Sequence, residues 1–202
     1  MIGYLDESLR EMLYKKFNLD DKTGNYERRL KRYNHSISVM EFALVLSEKY
    51  NYENKEKVLI ASLLHDYAKF ESFDRYSQIV NKYNLSKELL NEEYTNVRHA
   101  LLGSYIIQEE LGITDEEILN AIKYHATGKS NMTTLEKIVF ISDYAETSRI
   151  GEMFEKVRAA SFRSLDEAVL IECELSIENI KKRNLHVVGE TLNCLEYYKN
   201  RG

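Results

Sequence analysis

The stretch Val58-Leu59-Ile60-Ala61-Ser62-Leu63-Leu64-His65-Asp66-Tyr67-Ala68-Lys69 decides how the rest of the chain is read. Its first seven residues are apolar almost all round a helix, as expected of a helix buried on every side. That helix runs straight into adjacent His and Asp, a pair that is unfavourable in a core unless something compensates it. Working outward, the period stays helical. His35, Val39, Phe42 and Leu46 fall on one face of a long helix, and Leu101, Leu102, Tyr105, Ile106 and Leu111 form a second stripe closed by Gly112. Thr114-Asp115-Glu116-Glu117, Thr133-Thr134-Leu135-Glu136 and Ser164-Leu165-Asp166-Glu167 each have the spacing of a capping box opening a further helix. Alternating strand patterns are nearly absent. The expectation is an all-α domain of about eight to ten helices.

Composition agrees. The chain has 202 residues with no proline and only eight glycines, so long helices meet few interruptions. At 44% hydrophobic and 30% charged it is neither disordered nor membrane-embedded, and no run of 18 apolar residues exists. A net charge of −5 argues against general capture of nucleic acid, which needs a basic face. The N-terminus lacks the basic and apolar regions of a signal peptide. Cys173 and Cys194 are too few for a disulfide framework and read as buried thiols in a cytoplasmic protein. Residues 72–93, polar and tyrosine-rich, read as a looser excursion over the site.

His and Asp recur where the core should be. His35 shares a face with Val39 and Phe42. His99 lies on the stripe of Leu102 and Ile106, His125 follows Ile118 and Ile122 at helical spacing, and Asp143 follows Leu135 and Val139. With His65 and Asp66, five segments aim imidazole or carboxylate inward. Taken alone each has the plain reading of a satisfied core or surface side chain. Together they point to a metal cluster, because unpaired buried Asp and His are rare. Four imidazoles and two carboxylates without a thiolate suit iron, manganese, zinc or cobalt better than magnesium or calcium. Six ligands exceed what one catalytic zinc takes and suit two ions sharing a carboxylate.

The order His35, His65-Asp66, His99, His125, Asp143 resembles the HD-domain phosphohydrolases. Arg32-Tyr33-Asn34-His35-Ser36, Leu64-His65-Asp66-Tyr67-Ala68-Lys69, His99-Ala100-Leu101-Leu102-Gly103, Ala121–Gly128, Met132–Lys137 and Asp143–Arg149 are similar to one bacterial branch, the YqeK-like symmetrical dinucleoside tetraphosphate hydrolases. The similarity runs over roughly residues 28–195. It implies an HD-like helical bundle with a buried binuclear centre, occupying 1–202 as one domain. An N-terminal helical extension takes residues 1–25, and C-terminal helices over 150–202 close the site. It further implies two ions, iron expected and manganese, cobalt or zinc as alternatives. His35, His65, Asp66 and Asp143 would hold one, and Asp66, His99 and His125 the other. The implied activity is hydrolysis of diadenosine tetraphosphate to two ADP.

The cations nearest these motifs, Arg32, Lys69 and Arg149, are the candidates for binding phosphate, with Asp66, Lys69 and Arg149 acting in catalysis. Thr127, Gly128, Thr191 and Asn193 are weaker candidates for substrate contact. Here the chain departs from the family: Ala126 stands where the family tends to have Thr, and the prolines the family places before Arg149 and after His186 are missing. His186 itself reads as an ordinary surface or core histidine. The expected partner is a dinucleoside polyphosphate or nucleotide, with no nucleic acid and no membrane, and a homodimer is left open. The competing readings are an HD-domain 5′-nucleotidase or other nucleotide phosphohydrolase, and a non-catalytic nucleotide-sensing domain.

Overall fold

Helix follows helix from Ile2 to Lys199 in the computed structural model, which describes residues 2–201. Ten α-helices are present among them and no strand: α1 (Ile2–Lys16), α2 (Tyr26–Lys49), α3 (Lys55–Leu64), α4 (Phe73–Lys82), α5 (Arg98–Leu111), α6 (Glu116–Tyr124), α7 (Thr134–Ala145), α8 (Glu152–Ser161), α9 (Leu165–Lys182) and α10 (Gly189–Lys199). The short helix α3 lies at the centre, packed by α1, α2, α6 and α7. Val58, Ala61, Leu63 and Leu64 are fully buried, as its all-round apolarity requires. α7 carries the same burden, contacting α2, α3, α6, α8 and α9. The N-terminal segment belongs to this core, since Leu9, Leu13 and Phe17 are buried in it. α8 and α9 pack against α7 and against each other, and α10 packs on α9.

Helix starts follow local chemistry. Thr133 and Glu136 form the full capping box expected of them, and the Ser164 hydroxyl accepts from the Glu167 amide. The expected box at Thr114 shifts by one: Asp115 is the cap, its carboxylate accepting from the amides of Glu117 and Ile118. Asp is at least as good a cap as Thr, and choosing it releases Thr114 from the helix. Residues 72–93 also need correction. They hold α4, opened by the Ser72 hydroxyl, and two short 3₁₀ turns, with Tyr76, Ile79 and Val80 buried. Tyr76, Ile79, Val80 and Tyr83 recur at helical spacing, and the surrounding polar residues hide that apolar face.

Helix ends repeat one device that the sequence reading did not pick out. Lys16-Phe17-Asn18-Leu19, Lys49-Tyr50-Asn51-Tyr52, Lys82-Tyr83-Asn84-Leu85 and Lys182-Arg183-Asn184-Leu185 each put Asn in the left-handed region, with φ between 49° and 53°. In each, the amide of the following residue bonds the carbonyl five residues back, closing a Schellman turn. Leu19, Tyr52 and Leu85, which follow the first three, pack against the core, whereas Leu185 is exposed. Asn tolerates this conformation better than other non-glycine residues, which lets a glycine-poor chain turn sharply.

Because α3 is enclosed on all sides, truncating it should be felt strongly. Leu63→Ala is expected to lower unfolding free energy by about 2–5 kcal/mol, read from urea unfolding monitored by circular dichroism.

Candidate metal centre

Five helices deliver the polar cluster to one point. His35 projects from the middle of α2, His65 and Asp66 follow the last residue of α3, and His99 lies in the first turn of α5. His125 is the residue after α6, and Asp143 sits in the last turn of α7. The imidazoles run edge to face in a chain, His35–His65–His125–His99, with ring centres 5.4, 4.8 and 5.2 Å apart. His65, Asp66, His99 and His125 are buried, while Asp143 keeps some exposure.

The two histidines at helix ends are oriented alike. His65 Nδ1 lies 2.6 Å from the Ser62 carbonyl and His125 Nδ1 lies 2.7 Å from that of Ile122, each three residues back. Such a bond fixes the proton on Nδ1 and leaves the Nε2 lone pair facing the cluster. His65 Nε2 has no hydrogen-bond partner there, nor has Asp66 Oδ1, although His99 Nε2 lies 2.9 Å from that oxygen. Orphaned buried acceptors of this kind suit an ion. His35, His65 and Asp143 form one group whose donor atoms lie within 4.8 Å of one another, and His65, Asp66 and His125 form a second. The two groups share His65, while Asp66 stands between His99 and His125. Nitrogen and oxygen donors without sulfur fit a borderline transition metal.

Charge around the cluster is arranged to keep its carboxylates ionised. Burial alone would raise the Asp66 pKa, but Lys69 and His65 outweigh it and hold it well below the usual range. Asp143 is likewise held low against burial by its hydrogen bond with His35 and by the other imidazoles. Burial, with the Lys69 charge second, pushes His99 down to about 3, so it is neutral and available as a ligand. All three candidate cations reach the cluster. Arg32 lies 2.6 Å from Asp66 Oδ2, Lys69 Nζ 3.5 Å from Asp66 Oδ1, and Arg149 3.5 Å from Asp143 Oδ1.

Two cavities open on either side of these cations, and Arg32, Lys69 and Arg149 line both. One, about 730 Å³, has Leu30, Phe70 and Phe154 in its wall and is termed the aromatic lobe. The other, about 340 Å³, runs along α9 past Glu172, Ser176 and Asn179 and is termed the polar lobe. Both volumes fall in the range of small-molecule sites. Thr127 and Thr191 line the polar lobe, as does the exposed His186, although the Thr127 hydroxyl donates to the Gly128 carbonyl. Gly128 lines neither lobe. It has φ +63°, and a Cβ there would meet Cys194 Sγ at 2.6 Å, so its lack of a side chain serves packing. Asn193 also lines neither and lies exposed on α10. The two cysteines are buried free thiols, 3.4 Å apart.

Residues 32–148 match the model of the HD domain. The chain belongs to the HD-domain family. Along about four-fifths of its length it is 36% identical to the symmetrical bis(5′-nucleosyl)-tetraphosphatase of Staphylococcus aureus, over 170 residues covering 83% of this chain and 87% of that protein. It is 34% identical to the same-named protein of Bacillus subtilis, over 79% of this chain and 85% of the relative. The crystal structure of a predicted HD superfamily hydrolase involved in NAD metabolism from Clostridium acetobutylicum is 31% identical and superposes with a TM-score of 0.81 over 97% of both chains. The all-α HD fold expected from the sequence is therefore the fold of the protein. Among the described residues no helix is long and apolar enough to cross a membrane.

Two acidic residues at this HD site carry no role in the sequence reading. Glu146 is buried against His35 Nδ1 at 3.2 Å and accepts from the amide and hydroxyl of Ser148. It therefore supports the imidazole from behind. Glu172 is 3% exposed, its Oε2 has no partner, and it interrupts the apolar face of α9 formed by Leu165, Ala168, Val169, Cys173 and Ile177. A glutamate on a core face is the signal that could have flagged it.

Burial first, and the Asp143 carboxylate second, raise the Glu172 pKa well above that of an ordinary glutamate. An acid with a raised folded-state pKa stabilises the fold most below its unfolded value, and this contribution fades as pH rises toward the folded one. Glu172→Gln cannot ionise. Its Tm advantage over the parent is expected to widen from about pH 5 to about pH 8, as read by thermal unfolding across that range. A constant difference would mean that Glu172 is ionised in the fold.

Proposed function

We propose that the protein is a metal-dependent hydrolase that cleaves diadenosine tetraphosphate, and related dinucleoside polyphosphates, at the middle of the phosphate bridge to give two ADP. The observation that carries this reading is the junction of Arg32, Lys69 and Arg149 between two cavities, directly over the six-residue His/Asp cluster. A bridge of four phosphates needs such a cationic strip, and a dinucleotide needs room on both sides of it. The relatives' names supply the substrate.

In this reading His35, His65, Asp66, His99, His125 and Asp143 hold two ions, for which iron is the proposed identity. When bound, such ions lower the pKa of water and neutralise charge on phosphoryl oxygens. The chain's own residues do the rest. The carbonyls of Ser62 and Ile122 keep His65 and His125 in the ligating tautomer, and Glu146 does the same for His35. Arg32 and Arg149, anchored on Asp66 and Asp143, meet phosphate oxygens through charge-assisted hydrogen bonds. Lys69 lies beside His99 and Asp66, placed where negative charge develops between the two central phosphorus atoms. ADP leaves as a stable anion, so little acid assistance is needed.

Chromatography of the products from diadenosine tetraphosphate is expected to show ADP alone. ATP with AMP, or faster consumption of AMP than of the tetraphosphate, would point to a nucleotidase instead. Asp66→Ala should lose far more than tenfold in rate, a factor equal to about 1.4 kcal/mol, and should fall below the parent's two ions per chain by elemental analysis.

Lys69→Ala should keep both ions while kcat falls. A change confined to KM would mean that Lys69 binds ground state and transition state alike.

A further inference from the structure

Arg149 belongs to no helix. It stands in the loop that joins α7 to α8, and little along that loop holds it in place. Ile150, the one apolar side chain from Thr147 to Gly151, is 89% exposed, and Thr147 and Ser148 are exposed too. The chain has no proline to stiffen the loop covalently. The Arg149 side chain reaches Asp143 at 3.5 Å, the outer limit of a hydrogen bond. The main chain of the loop is held from α8 instead. Arg158 Nε donates to the Ala145 carbonyl at 2.8 Å, and its Nη2 donates to those of Glu146 at 2.9 Å and Arg149 at 3.0 Å. The Glu146 carbonyl also accepts from the Arg149 amide, so the guanidinium grips both ends of one turn. The carbonyls at the end of α7 lack helical partners, and a cation is favourable there. All three of these bonds go to main-chain carbonyls, and Arg158 lines neither cavity. One turn earlier on the same face of α8, the Phe154 ring lies against the Arg149 guanidinium, at 5.4 Å.

We propose that Arg158 is a positioning residue for Arg149: it touches no substrate, and it braces the loop from which Arg149 meets phosphate. The inference rests on the reading of Arg149 as a phosphate-binding cation given above and adds to it the group that holds that cation in place. An arginine on a free loop has to be ordered each time an anion binds, and the lost freedom weakens binding. A loop already fixed to α8 removes that loss. The bracing depends on the planar fork of a guanidinium, whose several donors reach three carbonyls at once; a lysine ammonium carries the same charge but is a single point. The hydrogen bonds of Arg158 reach none of the six cluster residues, so its effect is exerted on the phosphate and leaves the ions in place.

A double-mutant cycle on the metal-loaded enzyme separates bracing from general support of the fold. The probe is methylenediphosphonate, a pyrophosphate mimic whose bridge water does not cleave, with affinity measured by calorimetry. Arg149→Ala and Arg158→Lys should each weaken its binding by about tenfold, roughly what one hydrogen bond to a charged group contributes. With Arg149→Ala already in place, Arg158→Lys should weaken it by less than about twofold further, because the residue it positions is gone. With Arg32→Ala in place instead, the full effect of Arg158→Lys should persist. Elemental analysis should find the parent's ion content in every variant. Arg158→Gln, which loses the charge as well as the fork, should show the same coupling and serves as the second variant. Equal losses in the parent, Arg149→Ala and Arg32→Ala backgrounds would overturn the proposal. So would unchanged affinity in Arg149→Ala or in both Arg158 variants, loss of ions from them, or failure of both to fold. Coupled losses in an enzyme that leaves diadenosine tetraphosphate intact would sink the hydrolase reading and leave the brace standing. Cleavage with uncoupled losses would do the opposite.

Discussion

A carboxylate that must stay ionised in a protein core is the constraint on which this structure turns. Asp66 follows α3, the helix packed by α1, α2, α6 and α7, and is 1% exposed. Its surroundings answer that burden: Arg32 from α2, Lys69 one turn on, and His65, His99 and His125 from three directions. Removing a partner from such a group is far more damaging than the same loss at the surface, since water cannot replace it. The helices around α3 therefore serve a double purpose. They bury its apolar wall, and their ends converge on the charge where it emerges. The fold and the chemistry share one geometric requirement.

The same ends explain how a bundle of helices holds the six cluster residues in register. Two of the imidazoles stand at equivalent places, immediately after α3 and α6, each tethered to a carbonyl three residues back. That tether uses a carbonyl that the helix leaves unpaired at its C-terminus. The ring direction is thus set by the helix axis and needs little help from distant side chains. Asp143 and Glu146 exploit the end of α7 in a similar way, one facing the cluster and the other backing His35. Packing of helices consequently becomes alignment of the cluster.

Much of this was legible in the sequence, for physical reasons that differ by residue. The apolar run Val58–Leu64 could only be a buried helix, and His or Asp on apolar stripes announced the cluster, because such groups do not enter cores without compensation. The cations could be chosen because they adjoin those motifs. Other features were hidden. α4 is amphipathic but mostly polar, so its buried positions Tyr76, Ile79 and Val80 were masked. Glu146 gave no pattern of its own, and Glu172 stood out only as a glutamate on the core face of α9. Their meaning depends on what α2 and α7 place beside them, which is tertiary information. Gly128 was legible as special but not as to why: a packing clash with Cys194, sixty-six residues away, is invisible along the chain.

The asparagine corners after α1, α2, α4 and α9 have a practical consequence. Each asparagine is exposed and each corner closes within six residues; those after α1, α2 and α4 lie outside both lobes, whereas Arg183 and Leu185 of the α9 corner line the polar lobe. An L-residue held in the left-handed region carries a conformational penalty that glycine escapes. The first three positions are therefore a reserve of heat resistance that can be drawn on one corner at a time. An engineer seeking a hardier enzyme with unaltered kinetics would begin there, and would leave the core and the cations alone.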